Sequence, residues 1–250
     1  MQLTDTHCHI HESSYPLASQ DVLARAHEAG ITRMICVGTN EKSSEEAAAF
    51  AQNHEGVYFS IGVHPHDTKD GWEKLEALTK APKLVAVGEI GLDYFYTHSP
   101  REVQLAALEA QLDLALQHDL PVIFHVREAF ADFWPVFDNF KGIKGELHSF
   151  TDTPEHLEQA LKRGLFIGVN GISTFTKSEA QRAMFASIPL ERLLLETDAP
   201  FLTPAPFRGK VNEPAFVRQI AEFHAQARDI SLDQIAHVST ANAQTLFKLL

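Results

Sequence analysis

The chain alternates short apolar segments with longer amphipathic segments from one end to the other. Apolar and β-branched runs bounded by turn residues predict eight β-strands, at residues 2–6, 33–37, 57–61, 84–88, 121–125, 145–148, 165–169 and 192–196. Apolar positions spaced every three or four residues predict helices at residues 21–29, 43–53, 102–118, 154–163 and 179–187. Two more helices are expected to close the chain, one after Pro214 and one near Leu232, with Ser231 as its N-cap.

Repeated strand–helix units are typical of a parallel sheet covered by helices. An open, doubly wound sheet would show the same alternation, but eight strands over about 200 residues match the repeat of a barrel. We therefore predict an α/β fold of the (β/α)8 TIM-barrel class with an additional C-terminal helix. The 250 residues correspond to the usual size of one such barrel and contain no Gly-, Ser- or Pro-rich linker. One domain is expected over residues 1–250.

The charge balance bears on the class of ligand. Lys and Arg number 21 against 33 Asp and Glu, so the formal net charge is -12. This weighs against a long nucleic-acid footprint, whose affinity comes largely from neutralisation of phosphates. A nucleic-acid end bound at a metal site stays compatible with the composition, because two divalent ions would add positive charge that the residue count omits.

Cysteine content and hydropathy favour a cytoplasmic location for the protein. Cys8 and Cys36 are the only two cysteines and have no CxxC spacing, so neither a disulfide framework nor a thiolate zinc site is indicated. The N-terminal segment MQLTDTHCHI lacks the basic start and apolar core of a signal peptide. No run reaches the roughly 18 apolar residues that span a membrane. We expect a soluble, uncleaved protein with no membrane association.

His7 and His9 stand two residues apart where the first predicted strand ends. An extended backbone directs both imidazoles to one side and Cys8 to the other. The side chain of Asp5 is expected on the same side as the two imidazoles, but no role is assigned to it. Two neutral imidazoles on one face are a good half-site for a transition metal, although solvated histidines at a polar strand end are an equal alternative for this pair alone.

Other polar residues follow other predicted strands: Glu89, His125, His148 and Asp198. Taken singly, each has an ordinary structural explanation, such as a helix cap, a hydrogen-bonded buried histidine or a turn. The carboxyl ends of parallel strands share one face of the fold, so these side chains are expected to converge there. Because so many polar residues at the ends of different strands would rarely occur together by chance, the set favours a functional site.

Seven motifs in order resemble those of the TatD-type metal-dependent deoxyribonucleases. They are DTHCHI at 5–10, GVHPH at 62–66, VGEIGLDY at 87–94, PVIFH at 121–125, LHSF at 147–150, ETDAP at 196–200 and RGKVNEP at 208–214. The resemblance implies a TIM barrel of the amidohydrolase type, hydrolysis of ester bonds and a dinuclear metal centre.

The resemblance also assigns roles to residues of this chain. It implies that His7, His9 and Asp198 bind one ion, that His125 and His148 bind the other, and that Glu89 bridges both. Asp198 and Glu89 are the expected catalytic residues. The residues expected to contact the substrate or the metal-binding side chains are His64, Asp93, Arg127 and Arg208.

The chain departs from the family pattern in three places. The segment after the fifth predicted strand reads HVREAF, in which Ala129 still follows Arg127 at the expected offset. Ser149 stands where a cysteine is frequent, and we expect little effect on metal binding because this position alternates away from His148. The run Tyr94, Phe95 and Tyr96 is more aromatic than packing requires. Stacking of a base on these rings is one interpretation, but packing at the top of the barrel is favoured.

Three functions are compatible with these residues. The first is a phosphodiesterase, a deoxyribonuclease of exonuclease type acting on DNA ends or single strands, which the arginine pair favours. The second is a deacylase or amidase with the same centre, since metal ions also polarise carbonyl groups. The third is a non-catalytic binder of metal or nucleotide. The expected cofactors are two divalent ions, Zn²⁺, Mn²⁺ or Mg²⁺. No obligate protein partner is inferred.

Overall fold

The computed structural model describes residues 1–249. Within that part of the chain, eight strands form one sheet. The strands are β1 (Leu3–Cys8), β2 (Ile31–Val37), β3 (Val57–Ile61), β4 (Leu84–Asp93), β5 (Val122–Arg127), β6 (Gly145–Leu147), β7 (Phe166–Val169) and β8 (Leu193–Leu195). Each predicted strand therefore has a counterpart in the structure.

The strands lie in the sheet in chain order, from β1 to β8. The β3–β4, β4–β5, β5–β6 and β7–β8 pairs are all parallel. Cys8 in β1 also forms a parallel bridge with Ala199, just after β8. A doubly wound sheet would instead reverse its strand order part-way along. Sequential order and this bridge are features of the (β/α)8 class, so the predicted fold class is confirmed.

Helices connect most of the strands. The α-helices of the described residues are α1 (Ser19–Glu28), α2 (Glu41–Asn53), α3 (Arg101–Gln117), α4 (Phe130–Asn139), α5 (Pro154–Lys162), α6 (Ile172–Phe175), α7 (Glu179–Ser187), α8 (Val217–Ala227) and α9 (Leu232–Phe247). Short 3-10 helices occur at Thr68–Asp70, Glu73–Leu78, Leu190–Arg192 and Pro214–Phe216. The predicted N-cap is present, since the Ser231 hydroxyl accepts the Gln234 amide at 3.1 Å.

The predicted end of β4 was wrong. We expected the strand to stop at residue 88, whereas it continues to Asp93 because residues 90–93 pair with residues 124–127 of β5. Glu89 therefore lies within a strand rather than after one. The sheet is tight at this point: a Cβ atom on Gly88 would lie 2.6 Å from the Ile123 Cβ atom, so glycine permits the approach.

The described chain divides into two compact units. The first unit combines Met1–Ile35 with the chain from His148 onward, and the second is Cys36–Leu147. In the first unit, α9 packs on β1 and β8. The Asn242 side chain of α9 donates to the carbonyl oxygens of Leu190 and Leu193, both at 2.8 Å. The expectation of one domain stays a prediction.

The core of the second unit includes an aromatic cluster from α4. Phe133 is fully buried, and its ring centroid lies 5.1 Å from that of Phe124 in β5 and 5.0 Å from that of Trp134. Sequence periodicity missed α4 because Pro135 lies inside it. Proline removes a helical N–H donor and normally marks a break, but burial of the surrounding aromatic rings outweighs that loss here.

No α-helix within residues 1–249 combines the length and the hydropathy needed to cross a membrane.

Replacing Phe133 with alanine is expected to destabilise the protein strongly, because it leaves a cavity among rings that cannot collapse fully. We expect Phe133→Ala to lower the free energy of unfolding by about 3–5 kcal/mol in urea denaturation. Leu116→Ala is the matched control, since 40% of Leu116 is exposed on α3. Similar losses in the two variants would contradict this description of the core.

Candidate metal centre

The first cluster consists of three histidines and two carboxylates of the first unit: His7, His9, His148, Glu196 and Asp198. His7 is in β1 and His9 directly follows it, and their Nε2 atoms lie 3.2 Å apart. The Asp198 Oδ1 atom lies 3.7 Å from His7 Nε2 and 3.4 Å from His9 Nε2. All three histidines are buried. The two-residue spacing thus brings both imidazoles to one carboxylate.

His148 joins the first cluster from the position after β6. Its ring stacks on that of His7, with centroids 3.7 Å apart and planes 20° apart. Its Nδ1 atom lies 3.1 Å from Oε1 of Glu196, which is fully buried. The same oxygen accepts the Ser149 amide at 2.7 Å and the Asn170 side-chain amide at 3.4 Å. The carboxylate of Glu196 therefore lies beside the Nδ1 atom of His148.

Asp198 is positioned by backbone pairing with β1. Its amide donates to the His7 carbonyl oxygen at 2.8 Å, and the His9 amide donates to the Ala199 carbonyl oxygen at 2.8 Å. Burial acts to raise the pKa of Asp198, but the hydrogen bond from His9 and the charge that His148 and His7 can carry outweigh it and lower that pKa below its ordinary value. The carboxylate is ionised at neutral pH.

Asp5 ties β1 to the end of β8. Its buried carboxyl group accepts the Thr197 hydroxyl at 2.6 Å, the Thr197 amide at 2.9 Å and the His7 amide at 3.2 Å. Burial raises the pKa of Asp5 to about 8, against the opposing effect of these hydrogen bonds. Asp5 therefore supports the strand that carries His7 and does not take part in the first cluster itself.

The second cluster lies in the second unit and consists of His64, His66, Glu89, Asp93 and His125. His125 lies between two carboxylates: its Nδ1 atom is 2.9 Å from Glu89 Oε1, and its Nε2 atom is 2.9 Å from Asp93 Oδ2. His64 Nε2 lies 3.6 Å from the same Glu89 oxygen. His66 Nε2 lies 3.0 Å from the same Asp93 oxygen. Each carboxylate thus links two histidines.

Burial and pairing set the charge states in the second cluster. Burial, followed by the nearby His125, lowers the pKa of His64 well below its ordinary value, so this imidazole is neutral. Burial acts to raise the pKa of Asp93, but hydrogen bonds from His125, the Tyr96 amide and His66 lower it below its ordinary value. A neutral imidazole beside carboxylates is the form of histidine that binds metals.

Two buried glutamines of α3 hold the strand ends that carry the second cluster. The Gln111 side chain accepts the Val63 amide at 2.7 Å and donates to the Val63 carbonyl oxygen at 3.2 Å, next to His64. The Gln104 side chain accepts the Asp93 amide at 2.9 Å and donates to the Asp93 carbonyl oxygen at 3.1 Å. Helix α3 thereby fixes the backbone on either side of the cluster.

The two arginines expected to face a phosphate are both exposed and both lie over aromatic rings. The Arg127 guanidinium carbon is 3.8 Å from the centre of the Phe95 ring. The Arg208 guanidinium carbon is 3.8 Å from the centre of the Phe175 ring, and Arg208 also donates to the Thr203 carbonyl oxygen at 2.7 Å. Both guanidinium groups are therefore held in defined positions.

The structure thus places every residue that the sequence nominated. His7, His9, His148 and Asp198 meet in the first cluster, and His64, Glu89, Asp93 and His125 meet in the second. Their individual roles stay predictions.

Sequence analysis missed the other contributors: Asn170, Glu196, His66, Gln104 and Gln111. Glu196 and Asp198 are two residues apart, as are His64 and His66, so an extended backbone directs each pair to the same side. This spacing could have identified Glu196 and His66 from the sequence. The glutamines are seven residues apart on the buried face of α3, which periodicity could also have flagged.

Each cluster has a donor set that fits a divalent ion. In the first cluster, ligand atoms of His7, His148 and Glu196 all lie within 4.8 Å of one another. In the second cluster, the same holds for His64, Glu89 and His125. Mixed imidazole and carboxylate donors suit Zn²⁺ and Mn²⁺ and tolerate other ions. The residues of each donor set therefore have the chemistry that could hold a divalent ion.

The sequence profile of the TatD related DNase family matches residues 4–248 of this chain. The chain belongs to the TatD family. The resemblance indicated by the seven motifs is confirmed, and with it the general class of metal-dependent hydrolase.

Relatives of this TatD-family chain match along nearly their whole length. YabD of Bacillus subtilis (strain 168), described as an uncharacterized metal-dependent hydrolase, is 34% identical over 253 residues, covering 99% of this chain and 99% of YabD. The 3'-5' ssDNA/RNA exonuclease TatD of Edwardsiella piscicida is 41% identical over 242 residues, covering 91% of this chain and 92% of the exonuclease.

Solved structures agree with this family assignment. The crystal structure of YjjV, a TatD homologue from Escherichia coli K12, superposes with a TM-score of 0.91 at 30% identity, covering 99% of this chain and 98% of YjjV. A TatD-family hydrolase from Entamoeba histolytica superposes with a TM-score of 0.88 at 27% identity, covering 99% of this chain and 98% of that hydrolase.

The role of α3 in this TatD-family chain is testable through Gln111. Gln111→Leu leaves the buried amide and carbonyl groups of Val63 without their side-chain partners, so we expect a loss of about 1–3 kcal/mol in the free energy of unfolding. Gln117→Leu, on the exposed face of the same helix, should change stability by no more than about 0.5 kcal/mol. Equal effects of the two substitutions in urea denaturation would count against the positioning role.

Proposed function

We propose that this chain is a divalent-metal-dependent phosphodiesterase that removes nucleotides from the ends of single-stranded nucleic acid, with DNA as its main substrate. The observation that carries the proposal is the pair of largely buried histidine–carboxylate clusters described above. The relative from Edwardsiella piscicida, named a 3'-5' ssDNA/RNA exonuclease, supports the choice of substrate. The ester-hydrolysing class is that of the family; the substrate is our proposal.

We assign His7, His9, Glu89, His125, His148 and Asp198 as metal ligands, with the division between two ions that the family resemblance implies. The family resemblance adds that there are two ions and that Glu89 contacts both. The mixed donors favour Zn²⁺ or Mn²⁺ over Mg²⁺. When bound, such ions lower the pKa of water and stabilise the charge that develops at phosphorus.

The chain's own side chains supply the remaining steps. Asp198 is ionised and partly exposed beside His9, so it can accept the proton of the attacking water. Arg127 and Arg208 can donate charge-assisted hydrogen bonds to non-bridging phosphate oxygens. Because both guanidinium groups already stack on rings, little conformational entropy is lost when they bind phosphate.

We also propose a cytoplasmic location. Cys8 and Cys36 are both free thiols, whereas cysteines of proteins in oxidising compartments commonly form disulfides.

Glu89 provides a test of the metal assignment. We expect Glu89→Ala to reduce the amount of bound Mn²⁺ or Zn²⁺ from about two equivalents per chain to about one or less, and to abolish hydrolysis. The reason is that the variant removes a carboxylate that both ions would share. Metal content is measured by elemental analysis after dialysis. Glu55→Ala, an exposed glutamate of the same unit, is the matched control. About two equivalents retained by Glu89→Ala would refute its bridging role.

Arg208 provides a test of the substrate class. Arg208→Ala removes a charge-assisted hydrogen bond to phosphate, so we expect kcat/KM for single-stranded DNA to fall about ten- to more than a hundredfold, equivalent to roughly 1.5–3 kcal/mol. Metal content should not change. Arg218→Ala, on the exposed surface of α8, should leave kcat/KM unchanged.

The same variants separate the phosphodiesterase from a deacylase. A neutral acyl ester offers Arg208 no full negative charge, so its hydrolysis, if measurable, should be nearly unaffected by Arg208→Ala. Equal losses on both substrates would mean that Arg208 is structural. Faster hydrolysis of the acyl ester than of DNA by the metal-loaded wild type would favour the deacylase instead.

A further inference from the structure

Two aromatic side chains on the loop after β4 are unusually exposed. Phe95 is 49% exposed and Tyr96 is 42% exposed. Among residues 1–249, the exposed large hydrophobic side chains are Met1, Phe95, Tyr96, Leu116 and Phe201. All three aromatic members follow Asp93 or Asp198 within three residues. The exposed aromatic side chains therefore occur in the two chain segments that directly follow Asp93 and Asp198.

The exposed rings stand on an ordered loop. One oxygen of Asp93 accepts the amides of Phe95 and Tyr96, both at 3.0 Å. Its other oxygen accepts hydrogen bonds from His125 at 2.9 Å and His66 at 3.0 Å. A single carboxylate thus connects the aromatic pair with His125, a proposed metal ligand. A ligand stacked on these rings would be held in a fixed relation to the second cluster, with little ordering cost.

Positive charge and further rings surround the pair. The Arg127 guanidinium carbon lies 3.8 Å from the centre of the Phe95 ring and 5.0 Å from that of Tyr96. The Tyr96 ring is within 22° of parallel to the His98 ring, at a centroid distance of 5.5 Å. Aromatic faces beside a cation are the usual composition of sites that stack bases and pair with the adjoining phosphate.

Packing accounts for Tyr94 but not for its two neighbours. Tyr94 is half-buried, and its hydroxyl donates to Asp132 at 2.6 Å. The Arg101 guanidinium lies 5.0 Å from the Tyr94 ring and also pairs with Asp132. Tyr94 is thus fixed by polar groups beside α4. Phe95 and Tyr96 keep almost half of their surface in solvent, which costs hydrophobic free energy unless a ligand covers it.

We propose that Phe95 and Tyr96, together with Arg127, form a stacking site for an unpaired nucleobase of the substrate. The rings receive the base, and the guanidinium pairs with the phosphate of the same or the next nucleotide. The proposal rests on the function proposed above, because it names the part of a single-stranded nucleic acid that this site recognises. It also gives an acidic chain, with a net charge of -12, a source of affinity that does not depend on a broad basic face.

The test compares two probes with equal numbers of phosphates. One is fluorescein-labelled pentathymidylate, and the other is a labelled pentamer of abasic tetrahydrofuran nucleotides. Binding to the full chain is measured by fluorescence anisotropy in EDTA at fixed salt concentration, so that no hydrolysis occurs. Because the phosphate contribution is common to both probes, the ratio of their dissociation constants isolates the contribution of the bases.

We expect the wild type to bind pentathymidylate roughly 5- to 150-fold more tightly than the abasic pentamer, the range typical of base stacking on aromatic side chains. The double variant Phe95→Ala, Tyr96→Ala should lose this preference while binding the abasic pentamer as before. The double variant Phe95→Tyr, Tyr96→Phe should keep the preference, because it retains both rings. Leu116→Ala, which removes exposed apolar surface elsewhere, is the matched control.

Equal binding of the two probes by the wild type would overturn the stacking site, as would a preference that survives in the double alanine variant. Failure of the proposed function gives a different result. If Mn²⁺-loaded wild type hydrolyses neither probe yet retains the base preference in binding, the phosphodiesterase proposal is wrong and the stacking site stands. Hydrolysis without a base preference leaves the phosphodiesterase and removes the stacking site.

Discussion

The pairing of β1 with the segment after β8 is the constraint on which the first cluster depends. Hydrogen bonds between the backbones of His7 and Asp198, and of His9 and Ala199, join residues almost two hundred positions apart. The buried carboxyl group of Asp5 reinforces this junction. Once the two strands are in register, the alternation of an extended backbone brings two imidazoles and one carboxylate together.

The second cluster is held by side chains instead. Gln104 and Gln111 satisfy both backbone groups of Asp93 and Val63, at points where the ends of strands would otherwise leave buried polar groups. Asp93 then fixes His125 on one side and the loop after β4 on the other. Such groups must be paired when buried, so the same hydrogen bonds serve stability and the geometry of the site.

If this acidic chain binds nucleic acid, as proposed, its affinity must come from local contacts. In the proposed function, metal ions, guanidinium groups stacked on rings and exposed aromatic faces each take over part of the role of the broad basic surface that longer footprints require. This arrangement would explain why composition alone is a poor guide to the ligand of a chain with a net charge of -12.

The sequence by itself determined the elements and the nominated residues. Strand and helix positions follow from local periodicity, and His7, His9 and Asp198 stand out because they are polar residues at the ends of apolar strands. The length of β4, the existence of α4 and the partners of His148 were decided by tertiary structure. β4 extends because β5 offers backbone partners, and α4 forms around Pro135 because its rings are buried. Glu196 lies beside His148 although 48 residues of chain separate them, a relation that only folding creates and local periodicity cannot encode.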